Sequence, residues 1–181
     1  MARAEMIPIG GRARPVWLAL LLAMAALSSV TFACVTPFVA FAVLVVATLP
    51  RRGAILAMLG VWLINQALGY LALGYPVNGI GLAWGVAIGI AAAVATLAAG
   101  AILARPSWPR LGGAFLAAVA SYEGVLFLVS LALGGSANFA PRIIALVTLS
   151  DAAWLIGVAA LGLLLSRLAA ILAPARRPVT T

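Results

Sequence analysis

The chain has 181 residues, of which 66% are hydrophobic and only 8% charged, and its mean hydropathy is +1.25. Soluble domains run at about 45–50% apolar and about 25% charged, so the composition excludes a soluble fold and reads as one integral membrane domain over residues 1–181. The net charge of +8 is entirely arginine; with no histidine and one cysteine, bis-histidine haem, most zinc sites, histidine-based triads, internal disulfides and CxxC redox pairs are excluded as well.

Residues 1–15 form a basic tail with Arg3, Arg12 and Arg14. An apolar span follows at 16–33. Its flanks mimic a signal peptide, but Thr31 and Phe32 before Cys34 occupy places where a lipoprotein site needs an aliphatic and a small residue, so an uncleaved helix is expected. The apolar region Val16–Leu49 is too long for one straight span of about 20 residues and short for two. Proline is tolerated in a first helical turn and disruptive inside one. A tight turn at Cys34–Thr36 and a short second helix at 37–49 are therefore expected, the alternative being one long helix kinked at Pro37.

Four more spans follow, at 53–74, 79–104, 111–133 and 143–165. They are separated by Tyr75–Asn78, by a loop with Pro106 and Pro109, and by GGSANFAPR at 134–142, before a basic tail from Ser166. This gives an all-α, polytopic bundle of six transmembrane helices. With the N-terminus inside, the cytoplasmic segments hold every arginine but Arg142. The five-helix variant moves Arg3, Arg12 and Arg14 outside. The positive-inside rule thus favours six helices with both termini cytoplasmic, as in the inner membrane of a bacterium. The arginines sit at helix ends rather than in a cluster, so they set topology and imply no nucleic-acid partner.

Small residues recur four apart at Gly81, Gly85, Gly89 and Ala93, at Gly113, Ala117 and Ser121, and at Ala19 and Ala23. In lipid, such stripes let backbones approach for van der Waals contact. They serve packing inside the bundle, or docking of another membrane subunit on Ala19, Ala23, Gly81, Gly85 and Gly89.

The polar residues divide by side. The cytoplasmic face offers arginines and little else. The outer turns offer Cys34 and Thr36, then Tyr75 and Asn78, then Ser136, Asn138 and Arg142, while Asn65, Gln66, Glu123 and Asp151 lie at membrane depth. Polar side chains at that depth need a partner or a task. The asymmetry suggests a small-molecule pocket open to the outside. Gln66 and Tyr70 share one helical face. With Asn65, Tyr75 and Asn78 they make one wall, Tyr75 acting as an aromatic lid. Cys34 and Thr36 make a second wall; Glu123, Asn138 and Arg142 make a third. The competing reading has Asn65 and Gln66 bonding neighbouring helices together. Glu123 is open to three roles: binding a cationic group, carrying a proton or pairing with Arg142. Cys34 is either a small packed hydrophobe or a ligand to a metal-bearing substrate. No catalytic motif is present, so no enzyme activity and no cofactor are expected; the remaining enzymatic alternative is an intramembrane acid pair of Glu123 and Asp151.

Six helices in a chain of this length, termini inside and recognition groups in the outer turns together resemble the substrate-binding S components of energy-coupling-factor vitamin transporters. That resemblance implies uptake of a vitamin-like solute through the first, third and fifth loops, here Cys34–Thr36, Tyr75–Asn78 and Gly134–Arg142. It also implies docking on a coupling subunit through an alanine motif on the first helix, for which Ala19 and Ala23, or Ala25 and Ser29, stand in. Some solitary members handle cobalamin, which a cysteine at the outer mouth suits. The principal rival is a structural or assembly subunit of a larger membrane complex.

Overall fold

The computed structural model describes Ile9 and residues 13–31, 36–105 and 107–172. Among them the chain is all helical. Six α-helices run in order: α1 Arg14–Thr31, α2 Phe38–Thr48, α3 Arg51–Leu71, α4 Gly79–Ile102, α5 Trp108–Leu133 and α6 Pro141–Leu172. A short 3-10 turn, Ser136–Phe139, joins α5 to α6. All but α2 are long and apolar enough to cross a membrane.

The bundle is built around α2. Its sequence, FVAFAVLVVAT, carries no polar stripe, and every one of its 11 residues is buried. A helix apolar all round has no face to give to water; here α3, α4, α5 and α6 pack against it. Phe38 stacks on Tyr122 of α5 at 5.9 Å, and Phe41 meets Trp154 of α6 at 6.3 Å. Trp17 of α1 closes the remaining side: its indole N–H donates to Thr48 Oγ1 at 3.0 Å, and its ring lies against Gly162 of α6.

At 1.5 Å per residue α2 is about 16 Å long, roughly half the hydrocarbon thickness of about 30 Å. It therefore begins inside the bundle rather than at its edge. Helix N-termini leave their first N–H groups without intrahelical partners, and in lipid no water supplies them. Neighbours do so here. Asp151 of α6, 3% exposed, accepts from the Ala40 N–H at 2.8 Å, and the Val39 N–H also bonds to it. Phe38 N–H donates to the Thr36 carbonyl and Phe41 N–H to the Pro37 carbonyl. Asp151 lies about 15 Å along α6 from Pro141. Its place in mid-helix thus follows from where α2 starts.

Several boundaries differ from the expected ones. α3 spans 51–71 rather than 53–74. Its end folds back early, with Ala72 and Leu73 N–H both bonding to the Leu68 carbonyl and Tyr75 N–H to that of Gly69; Gly74 takes the left-handed φ of 72° that this reversal needs. α5 begins at Trp108 rather than 111, because Pro109 falls in its first turn, where a missing N–H costs nothing. Pro141 likewise opens α6, which continues beyond 165 to Leu172 and takes up Ser166 and Arg167, expected in the tail. Arg3, Arg12, Arg176, Arg177 and Cys34 lie outside the described residues.

Asp151→Leu is expected to lower stability by about 1–3 kcal/mol, the usual cost of stranding buried donors. Asp151→Asn keeps an acceptor oxygen and loses less. Reversible unfolding in mixed micelles, read by circular dichroism, measures both.

Candidate functional site

The deep polar residues meet where α1, the start of α2, α3 and α4 converge. Asn65, 2% exposed, sits about 9 Å below the end of α3. Its Nδ2 donates to Thr36 Oγ1 at 2.8 Å and to Ser29 Oγ of α1 at 3.3 Å. Ser29 and Thr36 hydroxyls bond each other at 2.8 Å, and Ser29 also donates to the Ala25 carbonyl. Asn65 Oδ1 accepts from Gln66 Nε2 at 2.9 Å. The network ends at Gln66 Oε1, which is buried and has no partner. Polar side chains at membrane depth need partners, and the Ser29–Thr36–Asn65 triangle ties α1, the segment before α2 and α3 together through side chains.

Gln66 belongs to a ladder between α3 and α4. Trp62, Gln66 and Tyr70 are four apart on α3; Gly81, Gly85 and Gly89 are four apart on α4. The two helices run antiparallel, so the bulky stripe seats on the glycine stripe. Trp62 Nε1 donates to the Gly85 carbonyl at 2.9 Å, and Tyr70 OH donates to the Gly81 carbonyl at 2.9 Å. A Cβ on Gly85 would collide with the Gln66 carboxamide oxygen and the Tyr70 hydroxyl; one on Gly89 would lie 2.8 Å from the Trp62 ring. The glycine face is thus occupied within the chain by α3. Ala19 and Ala23 on α1 are exposed.

Tyr75 folds back over α3. Its ring sits where a Cβ on Gly69 would be, edge-on to Tyr70 with centroids 5.8 Å apart. Asn78 caps α4, its Oδ1 accepting from the Gly81 N–H at 2.8 Å.

The remaining expected wall is split. Asn138 and Arg142 are exposed, and the turn that carries them leans on α5 through Phe139 against Phe127 at 5.6 Å. Glu123 is half-buried on α5, and no ion pair joins it to Arg142 among the described residues. It lies instead within electrostatic range of Asp151 and Tyr122, and Tyr75 is within range of Tyr122. The two membrane acids thus influence each other electrostatically, while the Asp151 carboxylate is committed to the N-terminus of α2.

Two cavities are lined by other residues. One of about 560 Å³ involves Val46, Arg51, Ala54 and Gly100. One of about 360 Å³ involves Met58, Trp62, Gly89 and Ala93. None of the expected substrate-binding side chains lines either.

Ser29 and Trp62 take part in the site although neither lies in an outer turn. The signal for Trp62 is in the sequence: a bulky stripe at 62, 66 and 70 faces a glycine stripe at 81, 85 and 89 across one tight reversal. Ser29 carries no such mark, since its partners are distant in sequence.

Gly85→Ala is expected to cost about 1–3 kcal/mol through overpacking against Gln66 and Tyr70. Gly100→Ala, where a Cβ meets nothing within 4 Å, should be neutral or stabilising. Thermal melting of the two variants side by side in one detergent provides the comparison.

No protein-family model, curated protein or solved structure matches this chain.

Proposed function

We propose that the protein is a solute-binding subunit of a membrane transport system, taking up a small, vitamin-like molecule from the outer face in the manner of the S components of energy-coupling-factor transporters. The observation that carries this reading is the unpartnered, buried Gln66 Oε1. A buried acceptor without a donor costs about 1–3 kcal/mol. A solute that brings an N–H or O–H to this atom recovers that energy on binding. Tyr70 and Tyr75 lie above it and form the lid, which moves aside to admit the solute. Asn65, held by Ser29 and Thr36, fixes the Gln66 carboxamide from below. Cys34, Asn78, Glu123, Asn138 and Arg142 belong to the outer rim of this reading.

Orientation follows from charge. Among the described residues Arg14, Arg51, Arg52, Arg105, Arg110 and Arg167 lie toward one end of the helices, and Arg142 lies at the other. α1 and α3 run parallel, Leu22 packing on Gly60, so the segment between them returns the chain. Taken with the positive-inside rule, this supports cytoplasmic termini in a bacterial inner membrane, with five full-length spans and the return from α1 to α3 made by the short α2 and its flanking segments.

A second reading, an assembly subunit of a larger membrane complex, is favoured by one feature. The Ser29–Thr36–Asn65 network satisfies itself, and Ala19 and Ala23 are left exposed on α1. Extraction in a mild detergent distinguishes the two: a stoichiometric complex with redox or photosynthetic subunits supports assembly and counts against transport.

For the transport reading, native mass spectrometry of the purified protein should show a bound solute, and a panel of vitamins including cobalamin should contain one that raises the melting temperature. Gln66→Met should abolish that shift. Absence of any bound solute together with no shift across the panel removes the reading.

A further inference from the structure

The two cavities are one groove. They share Ile55, Thr96 and Leu97 and run between α3 and α4 on the outside of the bundle. Small residues make the floor: Ala93, Gly100 and Ala101 leave room where larger side chains would fill it. The Thr96 hydroxyl donates to the Ala92 carbonyl; the deep half of the groove is almost wholly apolar, and the half toward Arg51 is mixed polar and apolar. From Arg51 to Trp62 it extends about 16 Å along α3, close to half of the hydrocarbon thickness of about 30 Å. That is the depth of one leaflet.

Its two ends differ. The deep end closes on Trp62 and Val86. The shallow end opens at Arg51, an exposed cation in the first turn of α3. Pro50 caps this helix without a side-chain hydrogen bond, so the positive end of the helix dipole adds to the guanidinium charge. A purely apolar partner helix leaves the cation without a counterpart. A single acyl chain with an anionic head matches the length and the charge together.

We propose that this groove holds one acyl chain of an anionic phospholipid from the surrounding bilayer, with the lipid phosphate against Arg51. The site is separate from Gln66 and does not depend on the solute reading. The bilayer supplies the ligand, and the pairing of Arg51 with the headgroup sets how deep α3 and α4 sit.

Native mass spectrometry of the full chain, released from nanodiscs of equal phosphatidylglycerol and phosphatidylcholine, tests this. The wild type should retain one phosphatidylglycerol in preference to phosphatidylcholine. Arg51→Gln should reduce that preference about fivefold, the usual effect of one arginine at an anionic surface. Arg52→Gln, beside it but outside the groove, should not. Ala93→Phe fills the apolar part and should lose bound lipid of both kinds; if circular dichroism shows it misfolded, Ala101→Leu takes its place. Equal retention of the two lipids by the wild type overturns the proposal. So does an equal loss in Arg51→Gln and Arg52→Gln, which reports only diffuse surface charge. A lipid-free dimer overturns it in favour of a second copy on this face.

Discussion

The contact on which the rest of the structure depends is the one from the Ala40 N–H to the Asp151 carboxylate. α2 is wholly apolar, wholly buried and too short to reach both sides of a bilayer. Its first turn is therefore stranded where no water is available. A carboxylate placed from α6 answers both the missing hydrogen bonds and the positive end of the helix. Once α2 is anchored in this way, its sides set the positions of α3, α4, α5 and α6. Trp17 pins the opposite end through Thr48.

The amides at membrane depth register the same junction through side chains. Thr36 and Pro37 precede α2 as non-helical backbone. Asn65 and Ser29 bond to Thr36, and Gln66 orients Asn65 through its Oδ1. Interhelical bonds of this kind average about 0.6 kcal/mol in a membrane, so their service is registration more than strength. Adhesion between α3 and α4 comes from contact area, with the aromatic and amide stripe of α3 seated on glycines of α4. The one acceptor left over, Gln66 Oε1, stands at the junction of these two devices.

Much of the architecture was legible in the chain. Apolar runs separated by arginine, proline and glycine located all six helices, and Pro37 marked the start of the short one. The errors lie at termini. Pro109 and Pro141 read in the chain as loop residues, whereas each stands in the first turn of a helix. α6 runs on past 165 because nothing in Ser-Arg-Leu-Ala-Ala-Ile-Leu stops a helix. For the site, the residue types at Asn65, Gln66, Tyr70 and Tyr75 and their common neighbourhood were legible from helical spacing. Their partners were not, because Ser29, Thr36 and Gly85 come from other parts of the chain.

Length and composition by themselves determined a bundle of apolar helices with arginines at the helix ends. Those properties are sums over residues and need no knowledge of neighbours. Tertiary structure alone decided which helix sits in the middle, that Asp151 serves the N-terminus of α2, that the glycine stripe of α4 receives α3, and that one oxygen of Gln66 is left without a donor. In a membrane interior the hydrogen bond of a polar group is settled by whatever helix lies beside it, and a linear pattern does not carry that information.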